Sequence, residues 1–435
     1  MAALIAVAAL FVWARGDDPA EGPAPTPTPA TAPGVTPTPT PTPTATPEAA
    51  ETPPPDTHVV ESEGELAIGI TEPNPNFFRP DAAAGAVPPA FERWRGELLR
   101  LRPTYYRLVV DWAGLASPNG GRVALTRAAP GCMREVQPCA GYGGLRDQLQ
   151  TLAALQRGDP DRWRVLVVIT GTPQGLARPG TGCERAGTEP RSRPPTAAGI
   201  GAYERLIVRL LDEARASGAD LRYWSPWNEP NHPYFLSPQR VRCDAAAASA
   251  ATAPYVELAQ AMRRALDGYP GRQELVLGET AGLLERKSSY TDVTQFIRGL
   301  PRGLACSAAA YGQHGYVGGP DPVDEVADAL ARFNCRRAPA VWMTETGVGS
   351  PRLGTDRASG ARAQRRACRL MRKRLKRWYE DPRVTAAFQY TLREDDRFPT
   401  GLVTTDLRRA FPVLREWQAW GGEREPAGPA PKRAC

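Results

Sequence analysis

Eight short apolar runs that alternate with amphipathic segments constrain this chain more than any other feature of its sequence. The runs lie at 66–70, 105–112, 164–171, 221–229, 274–280, 306–314, 340–347 and 385–392. Their length and bounding turn residues are those of buried strands. Between them, apolar residues recur at helical spacing over 91–101, 145–157, 200–214, 254–267, 322–333 and 361–379, with a weaker pattern near 291–300. In the segment from 200, for example, Ile200, Tyr203, Ile207, Leu210 and Leu211 share one face. Strands separated by helices pair in parallel, because each crossover returns the chain to the same end of the sheet. Eight such units close most simply as an α/β fold of the (β/α)8 or TIM barrel type. The alternative is an open doubly wound sheet. No G-x-G-x-x-G follows the first run, which counts against a nucleotide-binding version of it.

A barrel places its chemistry where strands end and the following loops begin. Glu229 ends the fourth run, in Y-W-S-P-W-N-E-P-N (223–231), and Glu345 ends the seventh, in W-M-T-E-T-G (342–347). His314 and Tyr316 follow the sixth. All are expected to face one mouth. The setting of Glu229 is unusual for a structural carboxylate. An exposed helix would surround it with Lys and Arg, and a buried strand with Val and Ile. Here it stands among tryptophans and prolines.

Ahead of the barrel, residues 1–16 contain an apolar run that is short for a membrane span of roughly 20 residues. It lacks the basic start of a usual signal peptide, and V-W-A at 12–14 loosely fits a cleavage site. The run reads as a signal peptide or a membrane anchor. Residues 17–60 are dominated by Pro, Thr, Ala and Glu. They have too little apolar surface to offset their ordering entropy and are expected to form a disordered, polyproline-like spacer. Residues 61–435 suffice for one barrel. A secreted or membrane-anchored chain with its main domain outside the cell is the resulting expectation, acting as a monomer.

The eight cysteines agree with export. None forms a C-x-x-C pair, so neither a zinc site nor a redox motif is indicated. Pairs 132–139, 183–243, 306–335 and 368–435 are the expected bridges, although eight cysteines allow 105 connectivities. The net charge of +7 is carried by scattered arginines. The densest run, 365–377, has apolar residues at helical spacing and reads as a solvated helix face, so nucleic acid is not an expected partner. Attraction to an acidic polymer stays open.

Two carboxylates on different strands that meet at one mouth suit glycoside hydrolysis, in which one protonates the departing oxygen and the other acts at the anomeric carbon. A retaining enzyme holds them about 5–5.5 Å apart, and the charge of one keeps the other protonated to higher pH.

W-N-E-P-N at the fourth strand with T-E-T-G at the seventh resembles the clan A retaining glycoside hydrolases, nearest the family 39 and family 5 types, including members that cleave exopolysaccharides. The resemblance extends over about 65–420. It implies that Glu229 is the acid/base, Glu345 the nucleophile, and Asn228 the amide that binds the sugar 2-hydroxyl. It further implies that Arg107 keeps the nucleophile ionised, and that His314 and Tyr316 stand beside it, with the tyrosine hydroxyl donating to Glu345. No metal or organic cofactor is implied; the partner is a polysaccharide or glycoside. Strand eight reads F-Q-Y-T-L-R-E-D-D where the clan usually has a tryptophan, so Tyr390 or Arg393 would floor the sugar site.

Other readings accompany these. Glu229 could be a structural ion-pair partner, and Glu345 a helix cap. Glu279, which ends the fifth run, rivals Glu345 but reads better as a polar partner or a distal sugar contact. Arg107 inside an apolar run needs a partner, and Glu345 would serve. Tyr311 is the alternative to Tyr316, Asp111 a candidate to orient Arg107, and His232 a candidate sugar contact. Trp227 is a candidate stacking platform, although it, Trp112, Trp224 and Trp342 could equally be core. Besides the hydrolase, a catalytically inactive carbohydrate-binding barrel at the cell surface fits the same residues.

Overall fold

The computed structural model describes residues 64–80, 87–117, 119–131, 136–349, 360–395, 398–432 and 434–435. The apolar run 1–16 and the spacer 17–60 lie outside the described residues. Eight strands, β1 (Ala67–Thr71), β2 (Tyr105–Asp111), β3 (Arg164–Thr170), β4 (Tyr223–Ser225), β5 (Glu274–Thr280), β6 (Ala310–His314), β7 (Ala340–Thr346) and β8 (Val384–Tyr390), form a closed barrel in sequence order. Every neighbouring pair is parallel, with β8 returning to β1. The main outer helices are α1 (Pro89–Leu101), α3 (Gly144–Gly158), α4 (Ala197–Ser217), α5 (Thr252–Asp267), α8 (Val323–Ala331) and α9 (Ala361–Tyr379). Shorter ones are α2 (Trp112–Leu115), α6 (Val293–Arg298), α7 (Arg302–Cys306) and α10 (Val413–Trp420). The expected TIM barrel is therefore present. No helix among the described residues is long and apolar enough to cross a membrane.

Two buried clusters follow from strand periodicity. One lies between the sheet and the helices, where Leu149, Tyr203, Leu206, Ile207, Leu210, Tyr255 and Leu258 contribute the apolar faces of α3, α4 and α5. The other fills the barrel: Tyr105, Leu166, Val168, Tyr223, Val276, Trp342 and Phe388. Trp342 packs 4.7 Å from Tyr105 and 4.9 Å from Tyr223, ring centre to ring centre. This aromatic plug closes the barrel beneath the mouth. Arg107 stands two residues beyond Tyr105 on β2, so it enters the interior one layer above the plug.

Two expectations are corrected. The fourth strand ends at Ser225, not at Glu229. Pro226 and Pro230 supply no N–H, so the ladder cannot continue through them. Single bonds take its place, from Asn228 N to Ile169 O (2.9 Å) and from Glu229 N to Glu279 O (2.9 Å). The sixth strand begins at Ala310, because residues 302–306 form α7 after Pro301. Three expected disulfides, Cys183–Cys243, Cys306–Cys335 and Cys368–Cys435, are formed. Cys139 is also disulfide-bonded, while Cys132 lies outside the described residues.

Candidate active site

Irregular backbone at the strand ends turns three glutamates into the mouth. In β5, Gly278 pairs with Gly312 but Thr280 pairs with Gln313, so Glu279 is an extra residue, at φ +55°. Such a bulge re-aims a side chain. In β7 the pairing to β8 passes from Met343–Ala387 to Thr346–Gln389, which makes room for Glu345. Glu229 has φ +39°, between the two prolines. A non-glycine residue in this left-handed region is uncommon and costs of order 1–3 kcal/mol, so the surrounding packing must impose it. Gly312 completes the arrangement: a Cβ there would lie 2.5 Å from Glu279 Oε1 and 3.1 Å from Thr344 Oγ1.

The charged groups interlock. Arg107 Nε and Nη2 donate to Glu279 Oε2 at 2.9 and 2.6 Å. Arg107 Nη2 also donates to Asn228 Oδ1 at 2.6 Å, and Nη1 is ion-paired with Glu345 Oε1 at 2.7 Å. His314 Nδ1 lies 2.8 Å from Glu229 Oε1 and 3.4 Å from Glu345 Oε2, and its Nε2 lies 3.3 Å from Glu279 Oε2. Tyr316 donates its hydroxyl to Glu345 Oε2 at 2.6 Å. All these side chains are buried. Glu229 Oε2 is buried and has no hydrogen-bond partner among the described residues.

The electrostatics separate the carboxyl groups. Burial pushes Glu229 above the usual carboxylate range, and the charge of Glu345 adds to that against the hydrogen bond from His314. Burial also opposes the charge on Glu279, but Arg107 and His314 outweigh it and hold its carboxyl down at about 2. Burial would lower His314, yet Glu345, Glu229 and Glu279 together raise it to about 9. Two cations and three carboxyl groups are neutral only when one carboxyl keeps its proton. Glu229, with its unpartnered Oε2, is the one suited to keep it.

Could the cluster hold a metal? Glu229, His314 and Glu345 offer ligand atoms within 4.8 Å of one another. A metal-bound imidazole must be neutral, whereas here both ring nitrogens of His314 face carboxylates and Arg107 and Tyr316 already hold Glu345.

The structure brings Glu229, Glu345, Asn228, Arg107, His314 and Tyr316 together. Tyr390 ends β8 and packs 5.9 Å from Phe398, which in turn meets Tyr316 edge-on at 4.9 Å. Trp227 is not a sugar platform. It is fully buried in the outer core, and its indole N–H donates to Phe235 O at 2.7 Å. Trp224 likewise anchors the segment, donating to Leu221 O at 2.8 Å. The aromatic residues around Glu229 thus hold its backbone. Arg393 does not floor the site, because its guanidinium binds Thr405 O and Pro138 O. Asp111 caps α2 through Gly114 N and pairs with Arg191 at 2.6 Å, so it does not orient Arg107. Tyr311 is buried against Thr280 and does not replace Tyr316.

Sequence reasoning missed Glu72 and Phe398. Glu72 follows β1 and is 2 % exposed, and burial raises it to about 7. It accepts from Asn74 N at 3.1 Å and Arg393 N at 3.2 Å, tying β1 to the turn after β8. The triplet Glu-Pro-Asn at 72–74 repeats that at 229–231, a signal that the strand-end rule could have used.

No protein-family model matches the sequence, and no curated protein matches it. Solved structures share the fold at low identity. An endo-β1,6-glucanase aligns over 82% of this chain and 76% of its own, with 12% identity and a TM-score of 0.52. A GH30 endoxylanase from Clostridium papyrosolvens aligns over 85% and 75%, with 11% identity and a TM-score of 0.50. A Bacteroides uniformis β-glucuronidase aligns over 82% of this chain but only 35% of its own length, with 14% identity and a TM-score of 0.48. What this chain shares with the first two is the parallel eight-stranded barrel.

Proposed function

We propose that this chain is a retaining glycoside hydrolase that cleaves an extracellular polysaccharide or glycoside by double displacement. The observation that carries the reading is the convergence of Glu229 and Glu345, whose carboxylate oxygens approach within 4.8 Å from opposite parts of the sequence. One oxygen of each lying that close is compatible with the roughly 5–5.5 Å carboxyl separation of a double displacement.

Glu345 attacks the anomeric carbon, while Glu229 gives its proton to the departing oxygen. Arg107 and Tyr316 hold the two oxygens of Glu345 and aim it. Burial and the Glu345 charge push Glu229 above the usual carboxylate range, which favours the protonated form that the first step needs. Once Glu345 is esterified its negative charge is gone, Glu229 becomes more acidic, and it accepts a proton from the incoming water. Asn228, oriented by Arg107, presents its amide to the sugar 2-hydroxyl. Glu345 is the nucleophile rather than Glu279, because Glu279 Oε2 is taken by two Arg107 nitrogens and His314 Nε2, while Glu345 is the carboxylate grouped with Glu229. The disulfides favour an oxidising location, in keeping with export by residues 1–16.

A 2-deoxy-2-fluoro glycoside tests this reading, because it slows the second step and accumulates the first adduct. Peptide mass mapping is expected to find the sugar on Glu345. A label on Glu279, or turnover with inversion of the anomeric configuration, would overturn the assignment.

A further inference from the structure

The rim beside Glu229 carries a cation with no anionic partner among the described residues. The segment between β3 and α4 holds four arginines: Arg178, Arg185, Arg191 and Arg193. Three are committed, Arg178 to Glu257 at 2.5 Å, Arg191 to Asp111 at 2.6 Å and Arg193 to Glu189 at 2.7 Å. Arg185 makes no ion pair among the described residues. Its neighbour Glu184 is used instead by Thr181 and Gly182. The Arg185 guanidinium lies 4.3 Å over the Tyr234 ring and donates Nη2 to its hydroxyl at 2.8 Å. Tyr234 stacks on His232 at 5.3 Å. All three are half-buried, so they line a surface that solvent reaches.

This group is rigidly tied to the reactive centre. His232 N donates to Glu229 O at 2.9 Å, so the stack grows from the turn that carries Glu229. The Cys183–Cys243 disulfide joins the two segments, and Arg185 N donates to Ser237 Oγ at 3.1 Å. Burial, with Arg185 beside it, pushes His232 down to about 3, so the imidazole is neutral and adds no charge. What remains is a single guanidinium, pre-oriented on an aromatic ring, whose Nε and Nη1 find no partner among the described residues. Nη2 keeps one hydrogen beyond its bond to Tyr234, and with the N–H beside it on the same edge it offers a carboxylate a planar, bidentate match. The ring beside it suits the apolar face of a sugar.

We infer that Arg185, Tyr234 and His232 form a subsite for an acidic sugar, a uronate residue, on the leaving-group side of the cleaved bond. The inference rests on the glycosidase reading for its placement, since the leaving group lies on the side of the acid that protonates it.

Binding is measured with oligogalacturonate, glucuronoxylan and alginate fragments, each against its carboxyl-reduced form, in the Glu229→Gln chain to prevent turnover. At least one acidic fragment is expected to bind about tenfold more tightly than its reduced form. Adding Arg185→Gln is expected to abolish that preference, leave the reduced form within about twofold, and be partly rescued by Arg185→Lys. Equal binding of acidic and reduced forms, or no binding of either, overturns the subsite. So does an acid preference that survives Arg185→Gln. Failure of the glycosidase reading is seen separately, as absence of a covalent adduct on Glu345 in the wild-type chain.

Discussion

Arg107 Nη1 lies 2.7 Å from Glu345 Oε1, on a guanidinium whose other edge is held by Glu279. One buried cation therefore serves two carboxylates, and the more enclosed of them, Glu279, makes the two-bond contact that holds it. Glu279 fixes the arginine, and the arginine aims Glu345.

Replacing Glu279 by Gln removes one anion from a neutral cluster and leaves excess positive charge buried. Breaking one partner of a buried pair costs about 3–5 kcal/mol. The Glu279→Gln chain is expected to unfold at lower denaturant concentration by a corresponding amount. An unchanged midpoint would show that Arg107 and His314 do not depend on Glu279.

Loss of the acid is expected to depend on the leaving group. Glu229→Ala should slow hydrolysis of unactivated glycosides by about 10²–10⁴-fold. Aryl glycosides with good leaving groups should still form the intermediate, and azide should restore turnover by replacing water in the second step. Glu345→Ala cannot form the glycosyl-enzyme, so azide there can only displace an activated leaving group directly and give a glycosyl azide of inverted configuration, whereas Glu229→Ala gives the retained one. Steady-state kinetics with a leaving-group series separates the two variants.

The pH dependence of stability follows from His314. Its folded value of about 9 lies above its unfolded value near 6.5. Protonated His314 therefore contributes stability in full below pH 6.5 and loses it as pH rises through about 9. Thermal melts from pH 6 to 10 should show the wild type falling over this window. His314→Gln should start lower and change less.

The Glu229 carboxyl should report on its neighbour. Burial is the main cause of its raised pKa, and the Glu345 charge adds to it. In Glu345→Gln that second contribution disappears, so the titration of Glu229, followed by carbon NMR of the side-chain carboxyl, should move toward acid pH. A shift in the opposite direction would mean that the two groups do not repel.

Gly312→Ala tests the room beneath Glu279. A Cβ 2.5 Å from Glu279 Oε1 must displace that carboxylate or the strand. Overpacking of this sort costs about 1–3 kcal/mol. Activity should fall further than stability suggests, because Arg107 moves with Glu279.

The barrel was legible because alternating periods survive in the sequence. Seven helical segments and all eight strands lie close to their expected places. Glu229, Glu345, His314 and Tyr316 were legible from strand ends, whereas Asn228 and the mid-strand Arg107 came from the resemblance to clan A glycoside hydrolases. Trp227 misled because composition does not say which way a side chain turns once prolines break the strand's alternation. Glu279 reads from the sequence as a polar partner, and it does pair with Arg107; the bulge that turns it inward depends on pairing with β6 and has no local signature. The tie between Glu72 and Arg393 spans 321 positions and has no local signature.

The charged cluster has one more consequence, for assembly. The first four strands and the turn after them bring Arg107 and Glu229, and the last four bring Glu279, His314 and Glu345. With Glu229 protonated, the first half alone would enclose a lone guanidinium and the second an excess negative charge. Each half therefore completes the other, and the ion pairs of the mouth act as a clasp between two moieties that have reason to close together and little reason to persist apart.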